Sequence, residues 1–392
     1  MPKLSKSKQF QDIASAMNRG LKERATSLIR NYDTYLSEND IRDLYELALK
    51  SDCGKVLSFI LNSSINRYII NPAEFYDTAL QNACLNDGNN VDGCPEIVEV
   101  LLNDSRVNPA HIMQEALRNA CRYGLVTIVK LLLKDKRVDP TIDNNYPIRY
   151  ACTGGHTEVV KILLKCPNVN PSAANNYCIR IAGQNGFTDI VKLLICDPRV
   201  DIYVDNDYAF RFACSYGHIE TVKVLLGNRA KTHLRFTEDI IFNVVTGNYI
   251  ETLKMLMSDS RIDISIGINR AIRTAADRNL LDMCQLLLSN PKCDPGCLNN
   301  DILKSAIRTN SVKTIQLILA DSRIDSSIRN NELLILAASY SNEEIFRLFM
   351  NHPRIKQVID ENELLELANR SSIPIKTIIN EFINDKKQSI TN

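Results

Sequence analysis

Hydrophobic residues recur along the chain with a period of 31 residues. The period is clearest in three segments, YPIRYACTGGHTEVVKILL, YCIRIAGQNGFTDIVKLLI and YAFRFACSYGHIETVKVLL, which begin at Tyr146, Tyr177 and Tyr208. The second half of each segment places apolar residues at the spacing of one helix face, as at Val159, Val160, Leu163 and Leu164. A fixed period of this length is typical of stacked repeats.

Each segment reads as a helix, a tight turn and a second helix. One small residue is fixed in the first helix, at Ala151, Ala182 and Ala213. A glycine follows, at Gly155, Gly186 and Gly217, and it allows the positive φ that ends a helix. Thr157 and Thr188 are predicted to cap the second helix.

The alanine positions extend the repeat over almost the whole chain. Steps of 31 from Ala120 reach Ala in all but one case, Val244, as far as Ala368, and Ala83, Ala48 and Ala16 continue the series upstream. We predict about twelve units, with insertions near residues 67–70 and 86–94. The chain is then one stack over residues 1–392, with a basic tail at 1–10 and a polar tail at 384–392.

The unit resembles the ankyrin repeat. The matching residues are Pro147-Ile148, Ala151, Gly155-His156, Val160 and Leu163-Leu164. The period is shorter than the family's usual 33, and arginine replaces the family's histidine at Arg149, Arg180 and Arg211. The resemblance implies an all-α, ankyrin-like solenoid with short fingers between repeats.

The links between units carry further information. They run Asp-Lys-Arg-Val-Asp-Pro at residues 135–140 and Asp-Ser-Arg-Ile-Asp at 259–263 and 321–325, and asparagine pairs follow some of them. Asparagine tolerates left-handed backbone, so these pairs are expected at the finger tips. This style of link is similar to that of ankyrin proteins from large DNA viruses of amoebae, which implies a viral protein in the host cytoplasm.

The resemblance also implies where a partner binds, since ankyrin-like stacks bind on their concave side. The family's finger positions fall here on Asp143, Asn145, Asn176, Asp205 and Asp207. Its helix-end positions fall on Arg122, Tyr123, Thr153, Gln184, Asn185, Ser215 and Tyr216. These residues vary between units, as a binding surface would, or because nothing constrains them. Aromatic anchors dominate binding energy, which favours Tyr123 and Tyr216.

Net charge and the lengths of apolar segments indicate which kinds of partner and which cellular location to expect. The net charge is +1, so no global field draws the chain to nucleic acid or membrane. Residues 1–8 hold three lysines and no apolar run, so no signal peptide is predicted, and no apolar segment approaches 18 residues. We expect a cytoplasmic monomer with a protein partner.

No catalytic, cofactor-binding or metal site is predicted. Four of the 12 cysteines directly follow a repeat alanine, which indicates a shared packing position; only Cys293 and Cys297 lie close together, without a second pair. His156 and His218 are expected to bond backbone at the turn. The arginine series at Arg118, Arg149, Arg180, Arg211 and Arg273 either grips an acidic partner or, the favoured interpretation, bonds the neighbouring links.

These observations favour a non-catalytic scaffold or adaptor for protein–protein interaction. The alternative is a structural or virion-associated component that assembles through its own surfaces. An enzyme with its site in the inserted loop is the weakest hypothesis, because no nucleophile, base or metal constellation stands out.

Overall fold

The computed structural model describes residues 7–32, 35–63, 69–70, 79–80, 83–84, 93–104, 106, 109–228, 237–324, 330–356 and 360–391. Within these ranges the regular elements are helices and no strand occurs. The chain divides into two compact units, Met1–Gly183 with Phe187–Val204, and Gln184–Gly186 with Asp205–Asn392.

The first unit holds the helices up to residue 204. In chain order they are α1 (Lys8–Asn18), α2 (Lys22–Tyr32), α3 (Glu38–Lys50), α4 (Gly54–Asn62), α5 (Pro95–Asn103), α6 (Pro109–Arg122), α7 (Val126–Lys134), α8 (Ile142–Thr153), α9 (Thr157–Leu163), α10 (Ala173–Gln184) and α11 (Thr188–Ile195). The last residue of α10 is assigned to the second unit.

The second unit continues the same alternation. Its helices are α12 (Val204–Ser215), α13 (Ile219–Gly227), α14 (Glu238–Thr246), α15 (Ile250–Ser258), α16 (Ile268–Asp277), α17 (Leu281–Leu288), α18 (Cys297–Arg308), α19 (Val312–Leu319), α20 (Asn330–Ser339), α21 (Glu343–Asn351), α22 (Pro353–Lys356), α23 (Glu361–Arg370) and α24 (Ile373–Thr391). Both units therefore consist of helix pairs, as the 31-residue period predicts.

The repeat alanines are core residues in both units. All the predicted positions from Ala16 to Ala368 are buried, Val244 included. Within one repeat, Val159, Val160 and Leu163 of α9 are fully buried behind Ala151 of α8. A small side chain at that position lets neighbouring first helices approach closely, and a larger one would overpack the contact.

The turn between the two helices has the predicted left-handed glycine but not the predicted threonine cap. Gly155, with φ 73°, ends α8 in a left-handed conformation, and the N–H of His156 donates to the carbonyl of Ala151 at 2.9 Å. The prediction that Thr157 and Thr188 cap the second helices is wrong. Each is the first helical residue, and the N-caps are His156 and Phe187, whose side chains make no capping bond.

The links are fastened by an aspartate and an arginine two residues later. Arg137 binds both carboxylate oxygens of Asp135 and also donates to the carbonyl of Leu102 in the preceding repeat at 3.3 Å. The guanidinium of Arg137 holds the pKa of Asp135 below its ordinary value. The same Asp-X-Arg arrangement recurs at residues 104–106, 197–199, 259–261 and 321–323.

The fingers are short left-handed turns. Residues 143–145, 174–176 and 205–207 each have three successive positive φ values between 48° and 63°. We call these the left-handed triplets. Asparagine and aspartate fill most of their positions, in agreement with the predicted tolerance of left-handed backbone.

The arginine series supports these triplets. Arg149 donates from Nε to the carbonyl of Asn144 and from Nη2 to that of Asp143, both at 3.0 Å. Arg211 binds the carbonyls of Asn206 and Asp205 in the same way. The structural role favoured for the series is thus confirmed for these two arginines, but the partner is different: each bonds the finger of its own repeat and not the neighbouring link.

Some sequence predictions fall outside the described residues. These are the tail at residues 1–6 and most of the 86–94 insertion. At the other end, residues 384–391 lie within α24. No helix among the described residues has both the length and the apolar character that a membrane span requires.

Candidate functional site

The predicted partner-binding residues differ in their accessibility. Tyr123 and Tyr216 are 37% and 48% exposed. The exposed members of the set also include Arg122, Asp143, Thr153, Asn185 and Asp205, and the half-buried members are Asn176, Gln184 and Ser215. Most of the helix-end residues, together with Asp143 and Asp205 of the triplets, are therefore open to solvent.

Two of the predicted contact residues are corrected by the structure. Asn145 and Asp207, at 9% and 2% exposure, are buried, so they offer no surface to a partner. In the first two triplets, the side chain of the third residue bonds the next link. Asn145 Oδ1 accepts from the N–H of Asn170 at 2.7 Å, and Asn176 Oδ1 accepts from the N–H of Asp201 at 2.9 Å.

Beside the predicted helix-end residues, the first unit carries a stacked tyrosine pair. The rings of Tyr146 and Tyr150, one helical turn apart on α8, are 3.8 Å apart between centroids and nearly parallel. The guanidinium carbon of Arg118, on α6, lies 4.2 Å from the centre of the Tyr146 ring. Aromatic stacking and cation–π contact both hold these side chains in place.

Further arginines and tyrosines complete the group. Arg122 lies 5.9 Å from the rings of both Tyr123 and Tyr150, and Arg149 lies 5.7 Å from Tyr146 and 5.8 Å from Tyr177. The hydroxyls of Thr153 and Tyr177 are 3.3 Å apart, within hydrogen-bond distance. We call this group the tyrosine–arginine cluster: Arg118, Arg122, Tyr123, Tyr146, Arg149, Tyr150 and Tyr177.

The charges around the cluster are unequal. Over residues 115–122, α8 and α10, the charged side chains are four arginines and two carboxylates. Both carboxylates, Glu115 and Asp143, pair with Arg118. Burial and a hydrogen bond with Tyr150 raise the pKa of Tyr146 to about 12, so the ring stays neutral at physiological pH.

The second unit has an aromatic row of its own. The rings of Tyr208 and Phe212 stack at 4.2 Å, Tyr216 follows 6.0 Å from Phe212, and His218 is 6.2 Å from Tyr216. The Tyr208 hydroxyl donates to Gln184 Oε1 at 2.7 Å, which fixes one of the predicted contact residues. Ser215 Oγ likewise accepts from the side-chain amide of Asn243 at 3.0 Å.

The sequence interpretation did not assign Tyr146, Tyr150, Tyr177 or Phe212 to this surface. Tyr150 and Phe212 are half-buried, and each stacks on a tyrosine of its own helix. The available signal was the four-residue spacing from Tyr146 to Tyr150 and from Tyr208 to Phe212, which places each pair on one helix face.

The two turn histidines bond backbone, as predicted. His156 Nε2 lies 2.8 Å from the carbonyl oxygen of Arg122, and His218 Nε2 lies 3.0 Å from that of Gln184. Each ring thereby joins its turn to the end of the preceding first helix. These imidazoles are engaged in packing the repeats.

The four cysteines that follow repeat alanines are packing residues. Cys84, Cys121, Cys152 and Cys214 are fully buried next to their repeat alanines. Burial raises the pKa of Cys121 and Cys152 far above the ordinary value, so both thiols are protonated and weakly nucleophilic at neutral pH. In the part of the chain that the structure describes, no group of three or more His, Cys, Asp or Glu could hold a metal ion.

Helix pairs joined by left-handed turns and stacked through a fixed alanine define a helical repeat protein. Residues 90–176 and 117–206 match the family model "Ankyrin repeats (3 copies)". This part of the chain is therefore similar to ankyrin repeats, and the all-α architecture of the described residues is consistent with an ankyrin solenoid.

Two further comparisons add little. No curated protein sequence matches the chain. Among solved structures, an X-ray structure of an ankyrin repeat family protein from Legionella pneumophila is similar at 17% identity, covering 76% of this chain and 90% of that chain, with a TM-score of 0.28. At that TM-score the likeness supports no argument about this chain.

Proposed function

We propose that the protein is a non-catalytic scaffold or adaptor that binds a partner protein along its first-helix ends and fingers. The observation that carries the proposal is the accessible aromatic and arginine side chains on the first helices, set on a fully buried core. Ankyrin repeats generally mediate protein–protein interaction.

Both the residue types on this surface and their restrained side-chain positions favour binding. Tyrosine and arginine supply a large share of binding energy at protein interfaces. Here ring stacking and cation–π contacts restrain these side chains before a partner arrives, so less conformational entropy is lost on binding. The backbone beneath them is fastened by the triplets and by the Asp-X-Arg links.

Affinity capture tests this proposal. The tagged protein is compared with the double variant Tyr123→Ala and Tyr216→Ala in extract of its native cell, with co-purifying proteins quantified by mass spectrometry. Tyr35→Ala is the matched control, because Tyr35 is a 70% exposed tyrosine outside both aromatic groups. We expect one or a few proteins to be lost with the double variant and kept with the control.

Two outcomes would count against the proposal. Loss of helical content in the double variant would mean that the tyrosines support the fold. Recovery of the protein alone, without other proteins, would favour the alternative of a structural component that assembles through its own surfaces.

We also propose that the protein acts as a monomer in the cytoplasm, of the host cell if its similarity in link style to viral ankyrin proteins reflects its origin. Light scattering of the purified chain should then give the monomer mass of 44.3 kDa. A larger mass that persists on dilution would contradict the monomer.

A further inference from the structure

We propose that the tyrosine–arginine cluster of the first unit binds an acidic segment of the partner protein. The inference rests on the proposed scaffold function and specifies the chemistry of its partner. It is carried by positive charge that the protein itself leaves uncompensated, held beside ordered aromatic rings.

The first step concerns Arg122. Its side chain is exposed, and its guanidinium lies against the rings of Tyr123 and Tyr150. Among the described residues it has no carboxylate partner, because Glu115 and Asp143 both pair with Arg118. A ring contact leaves the guanidinium edge free to donate two parallel bonds to a carboxylate.

The second step concerns Arg149. Its Nε and Nη2 donate to finger carbonyls, and none of the described contacts uses Nη1. The guanidinium is therefore fixed in direction by carbonyl oxygens and tyrosine rings, and no carboxylate of the described residues pairs with it. Arg122 and Arg149 thus present two oriented cations around the stacked pair of Tyr146 and Tyr150.

The rings define the rest of the site. Tyrosine faces provide apolar contact, and the hydroxyls of Tyr123, Tyr150 and Tyr177 can donate to carboxylate or carbonyl oxygens. Since burial and the hydrogen bond with Tyr150 raise the pKa of Tyr146 to about 12, Tyr146 adds no negative charge that would repel an acidic ligand. Aspartate or glutamate next to an aliphatic or aromatic residue matches this surface.

The small number of charges argues for a protein ligand over nucleic acid. Non-specific nucleic-acid binding draws on many phosphate contacts made at once, and its affinity falls steeply with salt. The cluster offers a few arginines within a chain of net charge +1. A short acidic peptide needs only two or three such contacts together with apolar burial.

The test uses the full-length protein and a phage-displayed library of random linear peptides. Selections are run on the wild-type protein, on Arg122→Gln, and on Lys130→Gln, which removes one exposed positive charge from the second helix of the same repeat. Peptides enriched on the wild type should be rich in Asp and Glu. They should be lost on Arg122→Gln and kept on Lys130→Gln.

Affinities are then measured by fluorescence anisotropy with a synthetic enriched peptide and its Asn/Gln counterpart. We expect Arg122→Gln to weaken binding of the acidic peptide roughly three- to tenfold, and the uncharged counterpart to bind the wild type about as weakly. Arg149→Lys keeps the positive charge but loses the planar guanidinium with its paired N–H donors. It should weaken binding less than Arg149→Gln. Circular dichroism of each variant checks that the helices are intact.

The outcomes separate this inference from the proposed function. Enriched peptides that are neutral or basic, or acidic peptides that bind Arg122→Gln as well as wild type, overturn the acidic-ligand inference and leave the scaffold function standing. Tighter binding of a single-stranded oligonucleotide than of any peptide also overturns it. Failure of the scaffold function itself shows in the capture experiment, where no protein would depend on Tyr123 and Tyr216.

Discussion

Among the individual residues, Asn145 shows how a finger fastens the next repeat. Its Oδ1 accepts from the N–H of Asn170, while the adjacent Asn144 has nearly the same left-handed backbone and an exposed side chain. We predict that Asn145→Ala lowers the free energy of unfolding by about 1–2 kcal/mol more than Asn144→Ala, because it leaves the Asn170 N–H without its acceptor. Urea unfolding followed by circular dichroism measures the difference.

This comparison is matched because both substitutions put alanine at a positive φ and carry the same backbone cost. Equal losses for the two variants would show that the side-chain bond to Asn170 contributes nothing to stability.

Asp263 gives a pH-dependent prediction. A hydrogen bond from Lys292 at 2.8 Å, with further bonds from Ser265, lowers the pKa of Asp263 to about 2 from an ordinary 3.8. Since the pKa is lowered in the folded state, the stabilisation is fully present above the unfolded value and is lost as the pH falls through about 2. We expect Lys292→Gln to raise the pKa of Asp263 in a carboxyl NMR titration.

The control for Asp263 is Lys254→Gln, because Lys254 pairs with Glu251 and not with Asp263. If the pKa of Asp263 rose equally in both variants, the Lys292 bond would not be its cause.

Between helical elements, the turns pack a ring onto the glycine of the preceding turn. Gly217, with φ 72°, lies under Tyr249, and a Cβ on the glycine would come within 2.3 Å of that ring. We predict that Gly217→Asn costs about 1–3 kcal/mol of stability through this clash. Gly20→Asn is the control, since Gly20 has φ 70° and nothing within 4 Å of its would-be Cβ.

Later turns in the second unit reach the same backbone without glycine. Asn279, with φ 55°, occupies the position of Gly217 two repeats later. Ser311 occupies the position of Tyr249, and its hydroxyl donates to the Asn279 side chain. The double variant Gly217→Asn with Tyr249→Ser should therefore lose less free energy of unfolding than the two single variants lose together. We expect a difference of about 1 kcal/mol in a double-mutant cycle. An additive cycle would mean that ring and glycine are not coupled.

The sequence was sufficient to predict the helix pairs, but it was insufficient to predict which side chains lie on their outer faces. The alanine spacing and the turn glycines predicted the helix pairs, because both follow from backbone geometry that only small residues permit. The spacing alone does not place Tyr150 and Phe212 on the outer face, because an aromatic residue suits a buried and a half-buried position alike. Asn144 and Asn145 are the same residue type side by side, so only the structure shows which one points inward.

For the molecule as a whole, stability depends on contacts between neighbouring repeats. Leu163 is fully buried in α9, and we predict that Leu163→Ala costs roughly 2–5 kcal/mol. In a stacked array the loss should spread to adjacent repeats through their shared interfaces. Hydrogen exchange followed by mass spectrometry should show reduced protection in α7 and α11 as well as in α9.

Leu164→Ala is the matched control, because Leu164 is the adjacent leucine and only half-buried. It should cost less and leave α7 and α11 protected. Unchanged protection of α7 and α11 in Leu163→Ala would contradict a cooperative stack.

The hydrogen bonds between fingers and links determine which deletions or duplications this part of the chain can accept. Asn145 reaches forward 25 residues to Asn170, and Asn176 reaches forward the same distance to Asp201. Excising residues 146–176 would bring the N–H of Asp201 to Asn145 in the place of Asn170. This part of the array is therefore modular: a whole unit can be lost or duplicated with these bonds kept, whereas a deletion of another length between Asn145 and Asn170 breaks their register.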